Sequence, residues 1–105
     1  MVGLSEFGLD ESGSLITNIV VDAWGCEICF ECKYLLDKRL RYKIHFLNCE
    51  KIDWFINSPE RKNQIDADII FFDFGRKNHE KEASIHTDIF TADILYGDLK
   101  IEKNW

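Results

Sequence analysis

Apolar and polar residues alternate with a period of two over most of this chain, and that period constrains the fold more than any other feature. In residues 26–34, CEICFECKY, apolar side chains hold the even positions, while glutamate and lysine hold most of the odd ones. Residues 41–46, RYKIHF, repeat the pattern. Because successive side chains of a strand point to opposite faces, each stretch predicts a half-buried β-strand.

The same reasoning, applied to the whole chain, predicts an all-β protein. Short connections favour an antiparallel meander of six or seven strands, either as a curled sheet or as a partly open barrel. The 105 residues are expected to form a single domain, 1–105, since a chain of this length builds one hydrophobic core. The predicted strands are 15–24, 26–35, 41–47, 50–57, 67–74, 88–96 and 98–103.

Two of the connections are longer than the rest. Residues 57–66 contain Ser58 and Pro59, which favour the start of a short helix over 58–65. Residues 75–87 are charged and begin with glycine, which is typical of a surface loop. The first 13 residues are expected to form either a short helix or a loose arm.

The alternation also assigns individual side chains to faces. It places Trp54 at an inward position, as a core residue. In the fifth predicted strand it sets Ile70, Phe72 and Phe74 on one face and Ile69 and Phe71 on the other. Because large apolar residues then occupy both faces, that strand is expected to be buried on both sides over part of its length.

Three evenly spaced cysteines, Cys26, Cys29 and Cys32, raise the question of metal or redox chemistry. Residues three apart in a strand point to opposite faces, so Cys26 and Cys32 should face the core while Cys29 faces away from it. Thiolates in that arrangement cannot converge on one tetrahedral metal, and a CxxC redox pair works at the start of a helix. We therefore interpret Cys26 and Cys32 as buried structural thiols. Cys29 is then an exposed thiol that Glu27 and Glu31 keep protonated.

The charge balance bears on the choice of partner. The chain has 13 Lys and Arg against 19 Asp and Glu, a formal net charge of −6. That balance argues against nucleic acid as a partner, because phosphate contacts depend on Lys and Arg. It suits a basic protein partner, and it serves solubility equally well.

The sequence also bears on location. No apolar run approaches the roughly 20 residues of a membrane helix, so no membrane association is expected. The first residues lack a basic region followed by an apolar stretch, which a secretory signal would need. We therefore expect a cytoplasmic protein whose cysteines remain thiols.

A first group of candidate functional residues lies in and beside the charged loop. It contains His79, Glu80, Glu82, His86 and Asp88, which can either bind a metal or form a hydrated surface. Their spacing matches no helix-borne ligand motif such as HExxH. We favour the hydrated surface, and we predict no catalytic residue, no metal and no cofactor.

A second group consists of the aspartates that flank the most apolar strand. Such carboxylates either recognise a basic partner or protect a sheet edge against pairing. Together the two groups form the predicted partner-binding set. Its members are Asp66, Asp68, Asp73, His79, Glu80, Glu82, His86 and Asp88.

Two segments, SLITNIVVDAWGCEICFECKYLLDKRLRYKIHFLNCEKIDWFI and HTDIFTADILYGDLKIEKNW, resemble a known family. They are similar to the small, mostly β immunity proteins found beside bacterial polymorphic toxins, in particular the immunity protein 50 family. Ile44, Phe46, Asn48 and Cys49 match the central segment of that family. The resemblance implies a non-catalytic protein that covers the active site of a toxin, so it carries over no catalytic residues.

Three functional hypotheses follow. The first is a binding protein, not an enzyme, of the immunity type, which neutralises a basic toxin by stoichiometric contact. The second is a small structural domain that forms a homodimer through an edge strand. The third is a metal-dependent enzyme that uses His79, His86 and Asp88. The charge and the resemblance favour the first.

Overall fold

The structure is a computed structural model that describes residues 3–4, 9, 13–34, 39–61 and 66–104. This part of the chain is nearly all β, as predicted. The remaining residues of the expected N-terminal helix or arm, and residues 62–65 of the expected helix after Ser58, lie outside it. The described strands are β1 (Ser14–Asp22), β2 (Glu27–Tyr34), β3 (Arg41–Leu47), β4 (Lys51–Ile56), β5 (Ala67–Asp73), β6 (Ala83–Thr87), β7 (Phe90–Leu95) and β8 (Asp98–Lys103).

These strands form one antiparallel sheet that is not closed, in the order β4-β7-β6-β5-β1-β2-β3-β8. We call β1, β2, β3 and β8 the first half-sheet, and β4, β5, β6 and β7 the second half-sheet. The halves meet where β1 pairs with β5, through Leu15 opposite Asp68 and Ile16 opposite Ala67. A single 3-10 turn at Pro59–Arg61 agrees with the helical start predicted there. No helix in the described ranges has the length and apolar character needed to cross a membrane.

A bent two-stranded ribbon joins the two halves a second time. Leu47 at the end of β3 pairs with Asp98 of β8, and after the bend Lys51 of β4 pairs with Leu95 of β7. Strands β3 and β8 therefore belong to the first half-sheet, while β4 and β7 belong to the second. The topology is thus a curled sheet folded at this bend, and not a simple meander.

The core lies where the inner faces of the two half-sheets meet. Phe46 of β3 is fully buried. Its ring centroid lies 6.5 Å from that of Phe72 and 6.4 Å from that of Phe74, both of which come from the second half. Tyr96, at the bend, is closer at 4.9 Å. Aromatic pairs at such distances add to the stabilisation that burial provides. The inward positions predicted in β2 and β3 are confirmed for Ile28, Phe30, Cys32, Tyr42, Ile44 and Phe46.

Strand β6 was not predicted, because its residues were assigned to the surface loop 75–87. Ala83, Ile85 and Thr87 are buried, whereas Ser84 is half-buried and His86 is exposed. The alternation is present, but it is only five residues long and contains a single large apolar residue, Ile85. The loop prediction is correct only for the turn before this strand.

Ile70 was predicted to share a face with Phe72, and this is wrong. The register between β5 and β6 slips by one residue between Ile69 and Phe71. A β-bulge of this kind leaves one residue unpaired and moves the following side chains to the other face. Ile69 and Phe72 are therefore both buried, while Ile70 is 66% exposed.

Two further predictions fail for positional reasons. Trp54 does lie on the core side of the sheet, opposite the buried Ala92, but β4 is an edge strand and leaves 40% of the side chain exposed. Cys26 is exposed because it lies in the turn before β2, where the strand alternation does not apply. Cys32, within β2, is buried as predicted.

Candidate functional site

The turn between β5 and β6 braces the bend of the ribbon. His79 donates its backbone N–H to the carbonyl of Tyr96 at 2.8 Å, and Asn78 donates to the carbonyl of Gly97 at 2.7 Å. The His79 ring contacts the backbone of Asn48 on the other strand of the ribbon, with Nε2 2.7 Å from the carbonyl oxygen. Because a carbonyl only accepts, Nε2 carries the hydrogen of this bond. His79, a predicted contact residue, thus holds two bent strands together.

The outer face of the second half-sheet carries a row of acidic side chains. Asp53 of β4 lies directly opposite Asp93 of β7, and Asp93 lies opposite Ser84 of β6. Ser84 in turn lies opposite Asp73 of β5. Directly opposed residues of antiparallel strands have Cβ atoms about 5 Å apart, so the row brings Asp53 and Asp93 close together. Asp73 lies one strand further along, beyond Ser84, and is nearly buried.

The next row on the same face is largely aromatic. Phe55 of β4 lies opposite Thr91, which lies opposite His86 of β6. His86 lies opposite Phe71 of β5, and the two rings meet edge to face at 5.4 Å. Phe55 is 58% exposed. We call these two rows, Asp53, Asp93, Ser84 and Asp73 with Phe55, Thr91, His86 and Phe71, the acidic–aromatic face.

The described residues neutralise the acidic row only in part, and one of the cations is Lys81, whose Nζ lies 4.0 Å from Asp73 Oδ2. Ser84 donates its hydroxyl to Asp93 at 2.8 Å, and Lys51 Nζ lies 3.3 Å from Asp53 Oδ2. Lys51 is also 3.9 Å from Glu82 Oε1, so one exposed ammonium is shared between two carboxylates. Exposed ion pairs of this kind contribute about 0–1 kcal/mol. The opposed Asp53 and Asp93 are a destabilising arrangement in an antiparallel sheet.

The predicted aspartates have different environments. Asp73 is nearly buried and accepts a hydrogen bond from the N–H of Gly75 at 2.9 Å, so it stabilises the turn that follows it. Asp66 Oδ2 lies 3.0 Å from Lys33 Nζ in the first half-sheet. Asp68 and Asp88 are joined, because Asp88 Oδ1 accepts the N–H of Asp68 at 2.9 Å.

The remaining predicted residues lie on or beside the acidic–aromatic face. His86 belongs to this face and is exposed. Glu82 lies beside it, because Lys51 Nζ is close to both Glu82 and Asp53. Glu80 is exposed in the turn that also carries His79. The two histidines have different neighbours. His79 contacts the backbone of Asn48 at the bend, whereas the ring of His86 packs against the ring of Phe71. Within the described ranges, no three His, Cys, Asp or Glu side chains form a group that could hold a metal ion.

A shallow pocket on the outer face of the first half-sheet, about 320 Å³ in volume, contains Cys29 and His45. These two residues are direct cross-strand neighbours, and His45 Nε2 lies 3.4 Å from Glu102 Oε1. The order thiol, imidazole, carboxylate resembles that of a nucleophilic centre, which needs a lowered thiol pKa. Here partial burial, followed by the charge of Glu31, raises the pKa of Cys29. The thiol is therefore held protonated, as predicted, but it is half-buried and not exposed, and burial is a larger cause than the charge of Glu31.

Sequence reasoning missed the residues that define the acidic–aromatic face, namely Asp53, Asp93, Phe55 and Phe71. Their signal is present in the period-two pattern, which puts Asp53 and Phe55 on one side of β4 and Asp93 on one side of β7. Bringing these sides together requires direct pairing of β4 with β7, which a meander does not provide. Phe71 joins them only through β6, which was not predicted.

Comparisons with known proteins give a likeness of fold. No family model matches the chain, and no curated protein matches it. Among solved structures, an uncharacterized protein from Neisseria gonorrhoeae is similar, with a TM-score of 0.58 and 8% sequence identity. The match covers 87% of this chain and 91% of that one. At this identity the likeness concerns the fold alone.

Proposed function

We propose that this chain is a non-catalytic, cytoplasmic binding protein of the immunity type, which neutralises a basic toxin by stoichiometric contact through its acidic–aromatic face. The observation that carries the proposal is the pair Asp53 and Asp93, opposed across two strands beside the exposed Phe55. Like charges in this position weaken the sheet. A local loss of stability from opposed like charges is expected at a binding surface, because there a partner supplies the opposite charge.

The two rows suit a particular side-chain chemistry. An arginine guanidinium can bind a carboxylate with two parallel hydrogen bonds while its plane lies against an aromatic ring. Asp53 and Phe55 point to the same side of one strand, so both contacts are available to one arginine. A lysine would find the carboxylates but would gain less from the rings. The expected partner surface is therefore basic and rich in arginine.

Charge beyond the face supports the same partner. The net charge of −6 accelerates encounter with a basic protein, and salt weakens that effect. Glu82, Asp68 and Asp88 from the predicted contact set extend the negative surface around the face. Glu80 continues it along the exposed turn.

The test is a pull-down of the tagged protein from its native lysate at low and at moderate salt. Wild type is expected to retain a basic partner, more at low salt. The double variant Asp53→Asn/Asp93→Asn is expected to lose it. A matched control is Asp22→Asn/Glu27→Gln, because Asp22 and Glu27 form an exposed, directly opposed acidic pair in the first half-sheet.

The partner is then purified and its activity is measured while this protein is added. Stoichiometric inhibition predicts a linear loss of activity that ends at equimolar protein. Inactivation by a small fraction of an equivalent would indicate a catalytic mode of action and refute the proposal. Equal retention of the partner by the two double variants would refute the assignment to this face.

A further inference from the structure

Strand β4 leaves one edge of the sheet open and carries an unusual number of exposed apolar side chains. Ile52, Trp54, Phe55 and Ile56 are 38%, 40%, 58% and 54% exposed. Edge strands are normally protected by charge, proline or bulges, because they pair readily with other strands. A solvent-facing edge with this composition indicates a surface that is covered in the working protein.

The backbone of β4 is arranged for such pairing. Asn57 donates its N–H to the carbonyl of Ile89 at 2.7 Å, which continues the register in which Ile56 lies opposite Phe90. In an antiparallel ladder alternate residues point their N–H and C=O to the same neighbour. The odd-numbered residues of β4, like Asn57, therefore point their N–H and C=O groups towards β7. The even-numbered residues point theirs towards the open edge, and they are Ile52, Trp54 and Ile56.

We propose that β4 pairs antiparallel with β4 of a second copy of this chain, with Trp54 opposite Trp54 of that copy. A twofold axis perpendicular to the sheet at Trp54 keeps the core-side faces of both copies on one side. It also sets Ile52 of each copy opposite Ile56 of the other. All three edge-facing residues of each strand then take part, which gives roughly six backbone hydrogen bonds.

Charge disfavours one neighbouring register, and pairing disfavours both. A shift of two residues in one direction would place Asp53 opposite Asp53 of the second copy, which is unfavourable, whereas a shift in the other direction would place Phe55 opposite Phe55. In the proposed register Asp53 instead lies opposite Phe55 of the second copy. Either shifted arrangement would leave one edge-facing residue of each strand unpaired.

The core side of β4 favours a second copy over a basic strand from another protein. Ile52, Trp54 and Ile56 carry no charge, so on this side a basic strand would find no carboxylate. Trp54 already continues a core row through Ala92 and Ile85, and its ring stacks on Phe90 at 4.4 Å. Pairing with a second copy would extend that row across the axis into an identical apolar row.

The area involved sets the expected strength. The exposed parts of the four apolar side chains amount to roughly 800 Å² over the two copies, below the roughly 1,000 Å² that a stable specific interface buries. We therefore expect a weak, transient dimer that forms only at high protein concentration, with a dissociation constant in the high micromolar range. This inference does not depend on the proposed toxin partner.

The first experiment measures the mass of the purified chain by sedimentation equilibrium, in reducing buffer, from low to several hundred micromolar. Wild type is expected to pass from monomer to dimer. Ile56→Lys is expected to weaken the dimer by about tenfold or more, because it places an ammonium opposite Ile52 of the second copy. Ile70→Lys is the matched control, since Ile70 is 66% exposed on β5 and away from the edge.

A second experiment tests the register. Trp54→Cys and Asp53→Cys are each made with Cys26→Ser, so that the exposed native thiol does not compete. Oxidised glutathione then converts two thiols to a disulfide and is itself reduced to two thiols. Facing residues at Trp54 would have Cα atoms about 5.5 Å apart, within disulfide range. The Trp54→Cys variant is therefore expected to crosslink faster than the Asp53→Cys variant.

Several outcomes would overturn the inference. A chain that remains monomeric at all concentrations contradicts it. Equal effects of Ile56→Lys and Ile70→Lys, or faster crosslinking of Asp53→Cys, contradict the surface or the register. A monomeric wild type whose lysate partner is lost on Ile56→Lys would assign the edge to another protein. If circular dichroism shows that Ile56→Lys does not fold, the crosslinking comparison tests the inference in its place. The measurements on the purified chain do not require the toxin.

Discussion

Replacement of Gly75 by alanine tests whether the turn after β5 is as tightly packed as the structure requires. Gly75 has φ of +63°, and an added Cβ would lie 2.3 Å from the carbonyl oxygen of Glu82 and 2.5 Å from that of Lys81. Both contacts are with backbone atoms, so no side chain can rotate away. The turn from Arg76 to Lys81, which carries His79, would have to move.

The cost has two parts. A left-handed conformation costs a residue with a Cβ about 1–2 kcal/mol. Moving the turn would break the Arg76 N–H bond to the carbonyl of Lys81 and the bond of His79 to Tyr96, each worth about 1 kcal/mol. Gly75→Ala should therefore cost about 3–4 kcal/mol in all. That is a large share of the roughly 5–15 kcal/mol that stabilises a domain of this size.

Gly25→Ala is the matched control. Gly25 also has a positive φ, +97°, but nothing lies within 4 Å of the position of an added Cβ. Only the conformational cost of about 1–2 kcal/mol then applies. Urea unfolding with linear extrapolation measures both variants. Equal losses of free energy of unfolding in Gly25→Ala and Gly75→Ala would refute the packing argument.

Three further predictions concern stability, each measured by urea unfolding. Phe46→Ala should lose about 3–5 kcal/mol because it opens a cavity among four aromatic rings, whereas Phe55→Ala, at an exposed position, should lose less than about 1 kcal/mol. Burial raises the pKa of the Cys32 thiol above its unfolded value of about 8.5, so stability should be full below that pH and fall as pH rises above it. Cys32→Ala should reduce this alkaline decline, to which Cys49 also contributes because burial raises its pKa to about 11, and an unchanged slope between pH 8 and pH 10 would contradict the assignment. His79→Ala should lose about 1 kcal/mol through the bond to Asn48, and no loss would show that the bend does not need it.

The sequence predicted most of the fold because alternation is a local signal. The inward residues of β2 and β3 follow from it directly, and so does the outward position of Cys29. The predictions fail where a non-local feature determines which face or how much of a side chain is buried. The bulge after Ile69 reverses the faces of β5, and only pairing with β6 reveals it. Trp54 has the predicted face, but its exposure depends on which strand ends the sheet.

The candidate site was less accessible to sequence reasoning, for a related reason. The predicted contact residues cluster in sequence around the charged loop, yet Asp73 and His79 prove to be held by Gly75 and by Asn48. The acidic row instead brings together Asp53 and Asp93, which are forty residues apart in the chain. No local pattern encodes that proximity, because it follows from the bend that carries β4 away from β3 and against β7.

The two proposed surfaces share β4, and this has a consequence for binding. A twofold axis perpendicular to the sheet places the acidic–aromatic faces of both copies on the same side, with Asp53 of each beside Phe55 of the other. A partner that spans both faces would bind the dimer more tightly than the monomer, and by linkage it would strengthen the dimer by the same factor. Ile56→Lys, which leaves the acidic–aromatic face intact, would then weaken partner binding. A partner confined to one face would bind Ile56→Lys and wild type equally, and the two surfaces would act independently.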